Sequence, residues 1–228
     1  MTVVALVPAA GRGERLGMEL PKALVPVRGV PLLTHAVRRL LASGCVDSVV
    51  VATPQDRVDA FAAAVGEFGR RCRLVPGGAD RSSSVRLALE SVDVGTCEVV
   101  LVHDAARAFT PPAVVRTVVD AVSSGSSAVV PVLPIANTVK VVDVDGVITA
   151  TPDRAALRSV QTPQGFAEAV LRAAHAAGFD GATDDAGLVE QLGGKVHTVP
   201  GHAHAMKITT PFDLVVAEAI LARQEGSA

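Results

Sequence analysis

Short runs dense in valine alternate with longer alanine- and leucine-rich stretches over the first 130 or so residues of this chain. Val3–Pro8, Ser48–Thr53, Cys72–Val75, Val99–His103 and Ala128–Leu133 are nearly continuous apolar runs. Runs of that length and composition predict strands buried on both faces. Between them, Pro31–Ala42, Asp56–Val65, Ser82–Val92 and Pro112–Val122 carry helical spacing. Pro31 and Pro112 suit first-turn positions and Gly44 a helix stop. Strand–helix alternation of this regularity predicts an α/β fold, a Rossmann-like and mostly parallel sheet with helices on both faces.

The alternation then breaks. Asn137–Val142, an Asp143–Gly146 turn and Val147–Ala150 have the pattern of a β-hairpin. Nothing in it suits a strand buried on both faces, so it predicts a projecting arm at about 136–158. Gln164–Gly178 and Asp184–Leu192 predict helices, Lys195–Val199 and His204–Ile208 short strands, and Pro211–Arg223 a closing helix. With no repeat and no low-complexity linker, the expectation is a single domain over 1–228 plus the arm.

Composition narrows the function classes. The 228 residues are 49% hydrophobic and 19% charged, an ordinary globular balance. A net charge of −2, no Trp, no Tyr and six Phe leave neither a basic field nor stacking platforms for nucleic acid. No apolar run approaches the ~18 residues that would span a bilayer, so no membrane partner is expected. Cys45, Cys72 and Cys97 form no CxxC pair, which predicts buried reduced thiols and a cytoplasmic protein.

Candidate chemistry begins where the first strand ends. Ala9–Lys22 (AAGRGERLGMELPK) holds three glycines together with Arg12, Arg15 and Lys22. Glycines let backbone N–H groups approach an anion, and the cations suit a polyphosphate. The loop lacks the Walker pattern, and Leu16 stands where a dinucleotide fingerprint needs its third glycine. A glycine-rich turn with solvated arginines is the plain alternative. A second group, Val102-His103-Asp104-Ala105-Ala106-Arg107, lies at another strand end, where ligands collect in open sheets. Asp104 there suits Mg²⁺, which takes one or two carboxylates plus phosphate oxygens. It equally suits a local ion pair with Arg107.

These two segments, with GGADRSSSV (Gly77–Val85), Asn137–Lys140, TPDR…QTPQ (Thr151–Gln164) and MKITTPFDL (Met206–Leu214), resemble the 2-C-methyl-D-erythritol 4-phosphate cytidylyltransferase family. The resemblance runs through nearly the whole chain in order. It implies a fold of the nucleotide-diphospho-sugar transferase type and transfer of CMP from CTP to methylerythritol phosphate, with Mg²⁺ as cofactor. Arg15 and Lys22 match the family's catalytic cations. Ala9, Ala10, Gly11 and Gly13 match its phosphate-cradling loop; Gly78, Ala79, Arg81 and Ser84 its base- and ribose-reading segment. Asp104 and Ala105 match the residues near the metal-bound nucleotide, and Lys207 a phosphate contact. Arg107, Thr138, Arg154, Thr162, Thr183 and Asp184 match the acceptor pocket. The arm implies a homodimer in which it reaches the neighbouring subunit's site. Ala79, Ala108, Ala205 and Thr210 depart from residues common in the family.

Other readings attach to several of these residues. Asp184 suits a helix cap as well as an acceptor contact, and Ser82–Ser84 suit N-capping. His202 and His204 would share one face of a strand as a metal pair, but no third ligand follows and a short strand with a solvated edge is the better reading. His103 suits a structural role in the strand-end turn. Rival functions are a cytidylyltransferase for another polyol phosphate such as ribitol 5-phosphate, a dinucleotide-dependent oxidoreductase, and a nucleotide sensor without catalysis. The second is opposed by Leu16 and by Ala52-Thr53-Pro54, which puts no acidic residue at the end of the second strand.

Overall fold

A computed structural model describes residues 1–10, 20–178 and 182–225. The central sheet is built from β1 (Val3–Pro8), β4 (Ser48–Thr53), β5 (Cys72–Pro76), β6 (Val99–Val102), β7 (Ala128–Pro134), β10 (Arg158–Val160), β11 (Gln164–Ala167) and β12 (Val196–Pro200). Their order is β10-β7-β11-β6-β1-β4-β5, with β12 also paired to β7. The β1–β4, β1–β6, β4–β5 and β7–β12 pairs are parallel, whereas β10 and β11 pair antiparallel to their neighbours.

The runs of β1, β4 and β6 are buried on both faces, as their composition predicts, and β7 is buried over its first four residues; β5, expected to be buried as well, is a partly exposed edge strand. Val3, Ala5 and Val7 of β1, Val49 and Val51 of β4, and Val99 and Leu101 of β6 enter one core. Val4 and Leu6, Val50 and Ala52, and Val100 and Val102 enter the other. Helices α1 (Leu32–Leu41), α2 (Val58–Val65) and α4 (Pro112–Ser123) cover the first face. Helices α3 (Arg81–Glu90), α5 (Glu168–Ala176) and α6 (Asp185–Gln191) cover the second. A third cluster packs α7 (Pro211–Glu225) through Ala217 and Ile220 against Val25, Val27, Phe109 and Ile208.

Four local readings are corrected. Gln164–Ala167 is strand β11, not the first turn of a helix, because it fills the gap between β6 and β7. His204–Ile208 is not a strand: Ala203–Ala205 make a 3₁₀ turn, and Arg107 rather than a neighbouring strand takes the Ala205 carbonyl. Pro31 is not in a first helical turn but caps α1 from the end of a small hairpin, β2 (Pro26–Val27) and β3 (Val30–Pro31), turned by Arg28 and Gly29 at positive φ. The thiols are free, but only Cys97 is buried; Cys45 and Cys72 are partly exposed.

The arm keeps a shorter pairing than its pattern suggests, β8 (Val141–Val142) with β9 (Ile148–Ala150). Asp143 closes its turn by accepting at Oδ1 from the N–H groups of Asp145 and Val147. No helix among the described residues is long and apolar enough to cross a membrane.

Gly165 sits where α4 presses on β11: a Cβ there would lie 2.5 Å from Val118 Cγ1 and 3.1 Å from Val122 Cγ2. Gly165→Ala is therefore expected to destabilise the fold by about 1–3 kcal/mol, the usual cost of overpacking a filled core. Urea unfolding followed by circular dichroism checks this; an unchanged midpoint would mean that α4 yields freely.

Candidate active site

Open α/β sheets gather ligands at the carboxyl ends of their strands. The residues that follow β1, β5 and β6 border one cleft of about 310 Å³. Ala9 and Ala10 arrive from β1, Gly78, Ala79 and Arg81 from β5, and Asp104 and Ala105 from β6. Ser84 and Lys207 complete the set of expected nucleotide residues found there, and Lys22, an expected catalytic cation, joins them. Gly11, Gly13 and Arg15 lie outside the described residues.

The turn from β5 into α3 is held by its own polar side chains. Asp80 caps α3 by accepting from Ser83 N–H at 2.7 Å, and the Ser83 hydroxyl reciprocates toward the Asp80 backbone. Ser84 Oγ donates to Asp80 O at 2.7 Å and accepts from Gly78 N–H at 3.1 Å. That buried hydroxyl shapes the turn. Gly77 allows the turn to touch the end of β1, since a Cβ there would lie 2.6 Å from Ala10 Cβ.

Charge concentrates on Asp104. Its carboxylate accepts from Lys207 Nζ at 2.8 Å and from Arg81 Nε at 3.3 Å, and Arg107 Nε stands 3.9 Å away. The expected Asp104–Arg107 pair is thus one part of a larger cluster. Burial alone would raise the Asp104 carboxyl, but Arg81, Lys207 and Arg107 outweigh it and hold it well below the usual carboxylate range. Arg81 is shared with a second carboxylate, donating Nη1 to Asp185 at 2.7 Å. His175 Nε2 meets the other Asp185 oxygen at 3.0 Å. Asp185 is almost wholly buried, so it fixes Arg81 from behind.

A neutral layer supports Asp104 from below. Its backbone N–H donates to Thr162 Oγ1 at 3.1 Å, and the same hydroxyl is hydrogen-bonded to His103 Nδ1 at 3.0 Å. Burial lowers the His103 pKa from 6.5 to about 4 despite the opposing charge of Asp104. The structural reading of His103 fits this position.

The acceptor-side residues do not border the cleft among the described residues. Thr162 is buried and engaged as above. Arg107 donates Nη1 to Ala205 O at 2.8 Å and Nη2 to Val160 O at 3.1 Å. Asp184 caps α6 through Gly187 N–H and accepts from Gln164 Nε2, which fits its capping alternative. Thr183 is exposed, as are Thr138 and Arg154 on the arm segment, where Arg154 donates to Ala136 O. His202 and His204 sit on the 3₁₀ turn with their rings edge to face. No cluster of three or more metal-ligating side chains occurs among the described residues.

Sequence reasoning missed Asp185 and Gln161. The Asp184-Asp185 doublet was the only signal for the former, and a cap needs just its first member. Gln161 lies within QTPQ and carries two side-chain bonds to the backbone of His202.

The family model for 2-C-methyl-D-erythritol 4-phosphate cytidylyltransferase matches residues 3–223. The chain is similar to the protein of that name from Saccharopolyspora erythraea, 63% identical over 97% of this chain and 100% of that one. It is 55% identical to the one from Nocardia farcinica, covering 98% and 95% respectively. Among solved structures, 2-C-methyl-D-erythritol 4-phosphate cytidylyltransferase from Thermus thermophilus superposes with a TM-score of 0.78 at 39% identity, over 96% of this chain and 98% of that one. The 4-diphosphocytidyl-2C-methyl-D-erythritol synthase of Anaerococcus prevotii gives 0.84 at 27% identity, over 97% and 98%.

His103 makes stability depend on pH. Its folded pKa lies below its unfolded value, so its contribution is complete above pH 6.5 and is lost as pH falls toward 4. That interval corresponds to about 3 kcal/mol. Unfolding free energies between pH 7 and 4 should decline with a slope that is shallower in His103→Gln; equal slopes would assign the decline to other groups.

Proposed function

The chain belongs to the 2-C-methyl-D-erythritol 4-phosphate cytidylyltransferase family, and from that premise we propose how its residues divide the work. The reaction transfers CMP from CTP to 2-C-methyl-D-erythritol 4-phosphate, giving 4-diphosphocytidyl-2-C-methyl-D-erythritol and pyrophosphate. The observation that carries the assignment of roles is the convergence of Lys22, Arg81, Lys207 and Asp104 on one cleft at the sheet's carboxyl edge.

Cytosine and ribose lie against the turn Gly78, Ala79, Arg81 and Ser84, whose shape is fixed before ligand arrives. The triphosphate runs over Ala9, Ala10, Gly11 and Gly13 toward Lys22 and Lys207. The acceptor phosphate is already anionic and needs no general base, so alignment and charge neutralisation carry the step. Arg15 and Lys22 stabilise the charge on the oxygens around the α-phosphorus and on the departing pyrophosphate as the acceptor oxygen attacks and the bond to pyrophosphate breaks. A unit charge pair ~4 Å apart is worth ~4 kcal/mol at an effective dielectric of ~20, so two such groups supply a large part of the barrier reduction.

Mg²⁺ fits at Asp104. Each carboxylate oxygen has two lone pairs, and the cations found around Asp104 leave capacity on both. Asp104 would hold the ion directly or through water, with phosphate oxygens filling most of its shell and Ala105 backing the loop. When bound, the ion neutralises phosphate charge.

The acceptor pocket combines Arg107, Thr162, Thr183 and Asp184 of one subunit with Thr138 and Arg154 from the arm of a second. Arg107 and Thr162 contribute from behind, through charge and through the bond that holds Asp104. The domain is one unit over 1–228 with its arm at about 136–158. On that arm, Val144 is 100% exposed, and Val142, Val147 and Ile148 are more than half exposed. A second copy of the chain covers these apolar side chains, since a lone two-stranded ribbon is marginal in water. Water-soluble substrates and free thiols suit the cytoplasm.

Pyrophosphate release with each nucleoside triphosphate, with and without methylerythritol phosphate or ribitol 5-phosphate, tests the substrate pair; release is expected only with CTP and methylerythritol phosphate. Arg15→Ala and Lys22→Ala should each lower kcat by at least ~10²-fold, the usual loss for one transition-state donor. Near-normal kcat in either would remove it from the catalytic pair. Ile148→Asp should weaken the dimer at least ~10-fold, since an unpaired charge is costly to bury. Sedimentation equilibrium reads this, and an undisturbed dimer would place the interface elsewhere.

A further inference from the structure

Lys207 reaches the cleft from a segment that belongs to no strand of the sheet. Between β12 and α7 the Ala203–Ala205 turn is the one regular element, and the far end is tied by Asp213, whose Oδ2 accepts from the N–H groups of Thr209 and Thr210. The side chain of Gln161 substitutes for a neighbouring strand. Its Nε2 donates to His202 O at 2.9 Å, and its Oε1 accepts from His202 N–H at 3.0 Å. Both bonds fall on one backbone residue, and the Gln161 side chain is buried.

Both sides of this contact hang from β7. Gln161 N–H donates to Pro131 O, and Gly201 N–H donates to Val132 O, each at 2.8 Å. The approach is close enough to demand glycine at 201, because a Cβ there would collide with Gln161 Oε1 and lie 2.9 Å from Val132 O. The carbonyl that Gln161 holds also starts the turn, accepting from Ala205 N–H at 2.9 Å. Arg107 then takes Ala205 O, and Ala106 O accepts from Ile208 N–H at 2.8 Å. Lys207 stands between these last two anchors. Its ammonium ends 2.8 Å from Asp104.

We propose that Gln161 is a positioning residue for the transfer reaction, fixing His202 and thereby the backbone that presents Lys207 to the triphosphate. The proposal rests on Lys207 contacting that triphosphate. A long flexible cation binds phosphate with less ordering cost when its backbone is already fixed, so loss of the brace should appear in CTP binding. It should appear only while the lysine is present.

A double-mutant cycle on the full-length enzyme separates these claims. Gln161→Met keeps the side-chain length and deletes both bonds; it should raise the KM for CTP at least ~10-fold in the wild-type background and less than ~2-fold in Lys207→Ala. Gln161→Glu keeps the oxygen that accepts from His202 N–H and should give a smaller rise than Gln161→Met. It also serves the same cycle if Gln161→Met does not fold. Equal rises in both backgrounds, or a wild-type KM in the Gln161 variants, would overturn the proposal. If Lys207→Ala itself leaves the KM for CTP unchanged, the failure lies in the triphosphate contact, and the proposal falls with it.

Discussion

One buried carboxylate organises this site. Asp104 stands at the end of β6 with Arg81 and Lys207 on its oxygens and Arg107 close behind. Each of those cations comes from a different part of the chain or a different turn of it. Without the carboxylate they would repel one another across the cleft. With it, the cleft presents positive charge in a fixed arrangement before any nucleotide enters. Preorganisation of this sort gives charge stabilisation without reorganisation during reaction.

The layers around Asp104 have separable duties. His103 and Thr162 hold its backbone N–H from below without adding charge. Asp185 and His175 hold Arg81 from the side of α5 and α6. Gln161 and Arg107 hold the segment that delivers Lys207. None of these supporting residues borders the cleft, yet each helps to fix one that does. The sheet supplies the common reference, since the two cores on its faces leave its strands little room to shift.

The parallel half of the fold was legible because its central strands β1, β4 and β6 are buried on both faces and therefore written as uninterrupted apolar runs, with the partly exposed β5 marked by its place in the alternation. The half after Val160 was harder to read. Gln164–Ala167 has Gln, Gly and one Phe, and only its place between β6 and β7 makes it a strand. His204–Ile208 looked extended because nothing local shows that Arg107 would take its carbonyl. At the site, Asp104 and Arg107 were legible by type and by their place at the end of β6, and Lys22 by its place after the glycine loop, whereas Arg81 and Lys207 came only from the family resemblance. Asp185 and Gln161 were not, because their partners lie at sequence separations that no spacing rule links: Arg81 to Asp185, and Gln161 to His202.

The most direct test is a crystal structure of the chain with CTP and Mg²⁺. The ammonium groups of Lys22 and Lys207 should lie within ion-pair distance of the triphosphate, with the base against Gly78 and Ala79 and Asp104 facing the metal. A triphosphate bound away from this cleft, or one bound in it with Lys22 and Lys207 directed elsewhere, would contradict the account.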